Sequence, residues 1–198
     1  MTLQSPSPPE QSRAAAESGL RLLAGLGRVR TETLLPAAPD DLRLSDPVQM
    51  YTLAPGQALA DARAVAWRYL VRHGDEPVAL AETVRDASGE HVFSQLNYGP
   101  FVAGTAAALD AASGPVGAGE GAGVAEDAGV AEVRLLHVPA VHLIAVWLHG
   151  DAGDTLIPAP PVPAGLDATR AYPAGALLAL TAELAPPPLP PTDPRGGT

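Results

Sequence analysis

The chain has 198 residues, 22 of them Asp or Glu against 12 basic residues, for a formal net charge of −10, and it contains no Cys. Such an acidic balance repels phosphate backbones and anionic headgroups, which excludes nucleic acid and membrane surfaces as expected partners, and the missing Cys excludes disulfides, thiol nucleophiles and thiolate metal sites. No stretch approaches the ~20 apolar residues of a membrane-spanning helix, and residues 1–20 lack the basic start and apolar run of a secretory leader, so a cytoplasmic location is expected.

All twelve basic residues are Arg, and Ala is the commonest residue, a compositional bias that weakens arguments from helix propensity. The Trp, Tyr and Phe residues all fall between Tyr51 and Tyr172. Because aromatic side chains supply much of the buried area of a core, one folded domain is expected over residues 51–185. An accessory tail over 1–50 precedes it, and a disordered Pro-rich tail over 186–198 follows.

Residues 1–11 are rich in Pro, Ser and Gln and read as disordered. Residues 12–29 set Leu20, Leu22, Leu23 and Leu26 among Ala and charges, which predicts a short amphipathic helix ending near Gly25 and Gly27. Residues 31–47, with Pro and acidic pairs, read as a surface linker. Val65, Trp67, Tyr69 and Val71 then alternate with Ala66, Arg68, Leu70 and Arg72, the period of a strand. A second strand over 77–85 follows a turn at 73–76. Pairing Arg72 with Pro77 sets Val71 opposite Val78, Tyr69 opposite Leu80 and Val65 opposite Val84, with both apolar sets on one face.

Residues 91–95 read as a short third strand, and Gly99-Pro100 as the opening of a helix running to Ala112. The Gly/Ala-rich stretch 113–129 resembles a flexible insertion. Two strands apolar on both faces are expected over 131–138 and 141–149, joined by a loop wider than two residues because Pro139 does not suit a primed hairpin turn. Residues 155–158 read as an edge strand ended by Pro158, and 173–185 as a terminal helix. The order β-β-(β)-α-β-β-β-α predicts an α+β fold: a single antiparallel sheet of about five strands with helices packed on it. In element order alone, over residues 65–185, it is similar to the profilin-like, longin and roadblock scaffolds, a similarity that assigns no function.

Glu82 falls on the apolar face of the first hairpin, opposite Trp67, where a carboxylate is costly unless it is paired or wetted. It reads as a general base or ligand anchor, or as a charge neutralised by an Arg such as Arg134. Pairing Val138 with Val141 makes His137 and His142 cross-strand neighbours, a candidate acid/base pair or pH-sensitive contact. Two imidazoles do not close a zinc site, so no metal and no cofactor are expected. Ser94, Asn97 and Tyr98 stand at a strand-to-helix junction where free N–H groups hold anions or carbonyl oxygens, and with Trp67 they form the candidate ligand-binding set. The structural alternative is that they cap and pack. No GxSxG elbow surrounds Ser94, the GAGEGAG run at 117–123 fits no phosphate-binding loop, and PPPLPP at 186–191 has the PxxP spacing of groove-binding tails.

These features predict a non-catalytic interaction or accessory module that binds a protein partner or a second copy of itself. The alternative is a small-molecule-binding protein or hydrolase-like enzyme with its pocket between the sheet and the helix starting at Pro100. There Glu82 or the His137/His142 pair would act as acid and base, and Asn97 and Tyr98 would position the substrate.

Overall fold

The alternation around Trp67 belongs to β3 (Arg63–His73), which pairs antiparallel with β4 (Glu76–Arg85), and β4 with β5 (His91–Asn97). The segment before β3 joins the same meander as β2 (Leu42–Thr52). A second meander consists of β6 (Val130–Val138), β7 (Leu143–Gly150), β8 (Thr155–Ala159) and β9 (Tyr172–Pro173). The two fuse because β2 and β6 lie side by side and parallel, Gln49 facing Arg134 and Thr52 facing His137. A short β1 (Thr2–Gln4) also runs parallel to β6, along the start of that strand. The helices are α1 (Glu10–Gly25) before the first meander, α2 (Pro100–Ser113) between the two, and α3 (Ala174–Leu184) at the end. This computed structural model describes residues 2–30, 36–113, 130–168 and 170–186. The flexible insertion expected at 113–129 lies, beyond Ser113, outside the described residues, as does the Pro-rich tail beyond Pro186.

The expected single antiparallel sheet of about five strands is therefore corrected to a mixed sheet of nine strands among the described residues. Of the unexpected strands, β1 and β2 come from residues read mainly as tail and linker, and β9 from the start of the expected terminal helix. In β2 the register shifts between Ser45 and Val48, absorbing Asp46 (φ 47°) and Pro47 as a bulge. A Pro without an N–H and a residue of positive φ are tolerated at such a break in the ladder. The bulge interrupts the two-residue period and makes a central strand look like a linker. β8, expected at an edge, is interior because β9 pairs with it.

One row of side chains crosses the whole sheet on its first face: Phe93, Thr83, Trp67, Gln49, Arg134, Trp147, Leu156 and Tyr172, each paired with the next. α1 docks on this face over β4 and β5. Its Ala16, Leu20 and Ala24 pack on Tyr69, Ala79 and Ala81. Burying a Leu such as Leu20 contributes about 1.5–3 kcal/mol. The buried Ser12 hydroxyl adds hydrogen bonds with Tyr69 Oη (2.7 Å) and Thr83 Oγ1 (2.6 Å), fixing the helix to two strands. α3 lies on the same face at the other end, with Leu177 against Leu136, Leu143 and Leu156. α2 covers the second face, with Val102 and Ala106 on Leu70 and Leu80, and Ala108 and Ala112 among Met50, Leu135 and Val146.

Close approach depends on glycine at two helical positions. A Cβ on Gly19 would overlap the Phe93 ring, and one on Gly104 would overlap the backbone carbonyl of Pro160, whereas one on Gly25 meets nothing. Gly19→Ala should lower stability by about 1–3 kcal/mol through overpacking. Gly25→Ala, with the same gain in helix propensity and no clash, should leave stability unchanged or raise it by up to about 1 kcal/mol. Urea unfolding of the two variants beside the parent chain checks the contrast.

Candidate functional site

The hairpin register changes the setting of Glu82. Arg72 faces Pro77 as expected, but a bulge at Val78 follows, so that Val71 faces Ala79, Tyr69 faces Ala81 and Trp67 faces Thr83. A single inserted residue exchanges the two faces of everything beyond it. Glu82 is thus not opposite Trp67. It lies on the second face between Arg68 and Gln95. Arg68 Nε donates to Glu82 Oε2 at 2.7 Å, Gln95 Nε2 donates to Oε1 at 3.1 Å, and both charged side chains are less than a tenth exposed. The neutralising partner is Arg68 rather than Arg134, and both oxygens of the carboxylate are engaged in holding β3, β4 and β5 together.

His137 and His142 are not cross-strand neighbours either. Val138 pairs with Leu143 and His137 with Ile144, while His142 sits outside the strand, after a 3-10 turn at Pro139–Val141, at φ 51°. Pro139 starts that turn and widens the loop, which moves the register by two residues. His137 is half-buried on the second face. Burial is the main cause that lowers its pKa, and the Arg68 and His142 charges add to this, against an opposing effect of Glu82. His91, whose two ring nitrogens are buried without a hydrogen-bond partner among the described residues, is likewise held below the ordinary value, by burial and then by Arg85.

The candidate ligand-binding set is spread over both faces. Ser94 is the extra residue of a bulge in β5, between Phe93 opposite Thr83 and Gln95 opposite Glu82. Asn97 faces Leu80 on the second face, and its Nδ2 is buried without a partner among the described residues. The Tyr98 hydroxyl donates to the Arg28 carbonyl at 2.9 Å, tying the start of α2 to the end of α1. Trp67 is buried on the first face. Beneath α2, where a pocket is one expectation, Val102, Ala106, Leu70 and Leu80 pack against one another.

The polar side chains that do converge lie on the first face, between the areas under α1 and α3. Arg134 lies against two rings at once, its guanidinium carbon 4.8 Å from the Trp147 centroid and 5.1 Å from that of Tyr51. The two rings meet edge to face at 5.2 Å. Arg134 also grips Glu132 with a fork of two bonds, Nε to Oε1 at 2.8 Å and Nη2 to Oε2 at 3.3 Å. Burial works against this cation, but the bond to Glu132 and the negative charges of Glu132 and Asp154 outweigh it, and its pKa is raised. Asp154 Oδ1 accepts from Trp147 Nε1 at 2.7 Å and lies 2.7 Å from His149 Nδ1. Tyr51 donates to Gln49 Oε1 at 3.1 Å. The layer is built in, while its rim is open: the side chains of His149, Glu132 and Asp154 are 45%, 36% and 30% exposed. Sequence periodicity holds a trace of it, because Glu132 and Arg134, and Trp147 and His149, are spaced by two and so share a face. Gln49 and Tyr51 are spaced likewise in the segment that begins at the end of the supposed linker.

Among the described residues, no group of three or more His, Asp or Glu is arranged to hold a metal ion, and no helix is long and apolar enough to cross a membrane. Compared with known protein families, curated proteins and solved structures, the chain matches none.

Two outcomes are expected. Arg68→Met leaves the Glu82 charge buried with only the neutral Gln95 amide as partner and should cost about 3–5 kcal/mol, most of which Arg68→Met/Glu82→Leu should recover, as measured by denaturant unfolding of the single and double variants. Because His137 has a lowered pKa in the fold, the unfolded chain binds a proton that the folded chain resists as pH falls through the ordinary value of 6.5. Stability should therefore decline below that pH. His137→Gln should flatten the decline in melting temperature, whereas an unchanged slope would show that His137 does not contribute.

Proposed function

We propose that the protein is a non-catalytic interaction module whose contact surface is the strip of the first face around Arg134, where Glu132, Asp154 and His149 are open to solvent above the largely buried Arg134 and Trp147. The observation that carries this reading is the Tyr51–Arg134–Trp147 layer. Tyr, Trp and Arg are the side chains that dominate binding energy at protein interfaces, where they act as pre-positioned anchors surrounded by a polar rim. Here stacking and the fork to Glu132 hold the Arg134 side chain in place, so little side-chain freedom remains to be lost on binding. Glu132, His149, Asp154 and Gln49 provide the rim. α1 and α3 cover the sheet on either side and make the strip a rigid, shallow floor. The formal charge of −10 favours a protein partner over nucleic acid, and a second copy of the chain is one form such a partner takes.

Sedimentation of the purified chain and quantitative affinity capture from native lysate, each run with the parent, Tyr51→Ala and Arg134→Gln, test the proposal. Arg21→Gln, on α1, is the control. Loss of a central anchor should weaken self-association or retention of a specific partner at least about tenfold, with the control unchanged. Far-ultraviolet dichroism verifies that the variants are folded. A folded Tyr51→Ala or Arg134→Gln chain with the same mass distribution and the same captured proteins as the parent would refute the proposed surface.

A further inference from the structure

The parallel pairing of β2 with β6 has a second consequence, at the end of the sheet rather than on its face. Both strands end at the same edge, at Thr52 and Val138. From there the chain leaves in opposite directions: after β2 it loops back to β3 on one side, and after β6 it turns at Pro139–Val141 into β7 on the other. Connections that diverge from the carboxyl ends of adjacent parallel strands leave a crevice between them, analogous to the switch point at which open α/β sheets bind ligands. A cavity of about 420 Å³ lies there, a volume within the range of small-molecule sites.

Its walls are mainly apolar, from Leu53, Ala54, Pro55, Pro139 and Ala140, and it carries one group of each charge, Asp61 and Arg63. The loop is braced from within, since Gln57 Oε1 accepts from the Ala54 N–H at 3.1 Å and Asp61 Oδ2 from the Ala58 N–H at 3.2 Å. Asp61 and Arg63 are both exposed and form no ion pair with each other, and the Arg63 guanidinium has no hydrogen bond or ion pair among the described residues. Two opposite charges that lie two residues apart without neutralising each other, beside an apolar wall, are complementary to a molecule that carries both charges and an apolar group.

We propose that this crevice binds a small zwitterionic amino acid with an apolar side chain. Arg63 takes the carboxylate by charge-assisted hydrogen bonds, Asp61 takes the ammonium, and the side chain lies on Pro55, Leu53 and Pro139. The site is separate from the Arg134 strip, and each stands or falls alone.

The test is a titration of the ¹⁵N-labelled full chain with L-leucine and with L-phenylalanine, followed by amide shifts. Two single-charge analogues of phenylalanine, 3-phenylpropanoate and 2-phenylethylamine, are titrated in parallel. Saturable shifts confined to Leu53, Ala54, Gln57, Arg63 and Ala140 are expected with the amino acids, with at least about tenfold weaker binding of each analogue. Arg63→Gln and Asp61→Asn, the latter keeping an oxygen for the Ala58 N–H, should each weaken amino-acid binding by a similar factor. If neither amino acid gives saturable shifts at millimolar concentration, or if the shifts lie elsewhere, the proposal fails. It fails equally if 3-phenylpropanoate binds as well as phenylalanine and Asp61→Asn has no effect, because the site would then recognise an anion only.

Discussion

Four residue pairs between β2 and β6, from Gln49 with Arg134 to Thr52 with His137, join two antiparallel meanders into one sheet. Without that parallel contact each meander would present an open edge and two half-covered faces, a state that exposes both backbone polar groups and apolar side chains. With it, β2 and β6 become the centre of the sheet, and Val48, Met50, Leu135 and Leu136 are buried. The element order repeats on either side of the join: a helix, then four strands. α1 precedes the first set and α2 the second.

The same contact decides where polar chemistry is found. Because α1 sits over β4 and β5 and α3 over β8 and β9, the middle of the first face is left to Gln49, Tyr51, Glu132 and Arg134. A cation in the middle of a sheet is costly unless paired, and Arg134 is paired twice over, by Glu132 and by the faces of Tyr51 and Trp147. On the opposite face the equivalent problem is solved by the buried Arg68–Glu82 pair, to which the exposed Gln95 adds a hydrogen bond. Arg134 thus lies largely buried beside the exposed carboxylate of Glu132, whereas both members of the Arg68–Glu82 pair are buried.

Much of the fold is legible in the residues. The alternation at Trp67, the two-sided apolarity around Leu135 and Val146, the Gly99-Pro100 helix start and the wide loop at Pro139 all correspond to elements found there. The failures have local causes. At Val78 one bulged residue reverses the faces, which moves Glu82 away from Trp67 and against Arg68. At Asp46-Pro47 another bulge hides β2 behind the composition of a linker. At Pro139 a 3-10 turn shifts the register that would have joined His137 to His142. Bulges and tight turns change side-chain direction without leaving a periodic signal, so candidate sites read from register inherit the error.

The sequence by itself determined the α+β class, the helix and strand character of most segments, the acidic surface, and the need for a partner at every charge placed in an apolar strand, because each of these follows from local pattern and from the cost of burial. Only the tertiary structure decided which partner each charge received, that the amino-terminal residues supply two strands, and that β2 lies parallel to β6 with an aromatic layer on one face and a crevice at its end. Those outcomes depend on contacts between residues some 80 positions apart, and no local periodicity encodes which distant strand completes a sheet.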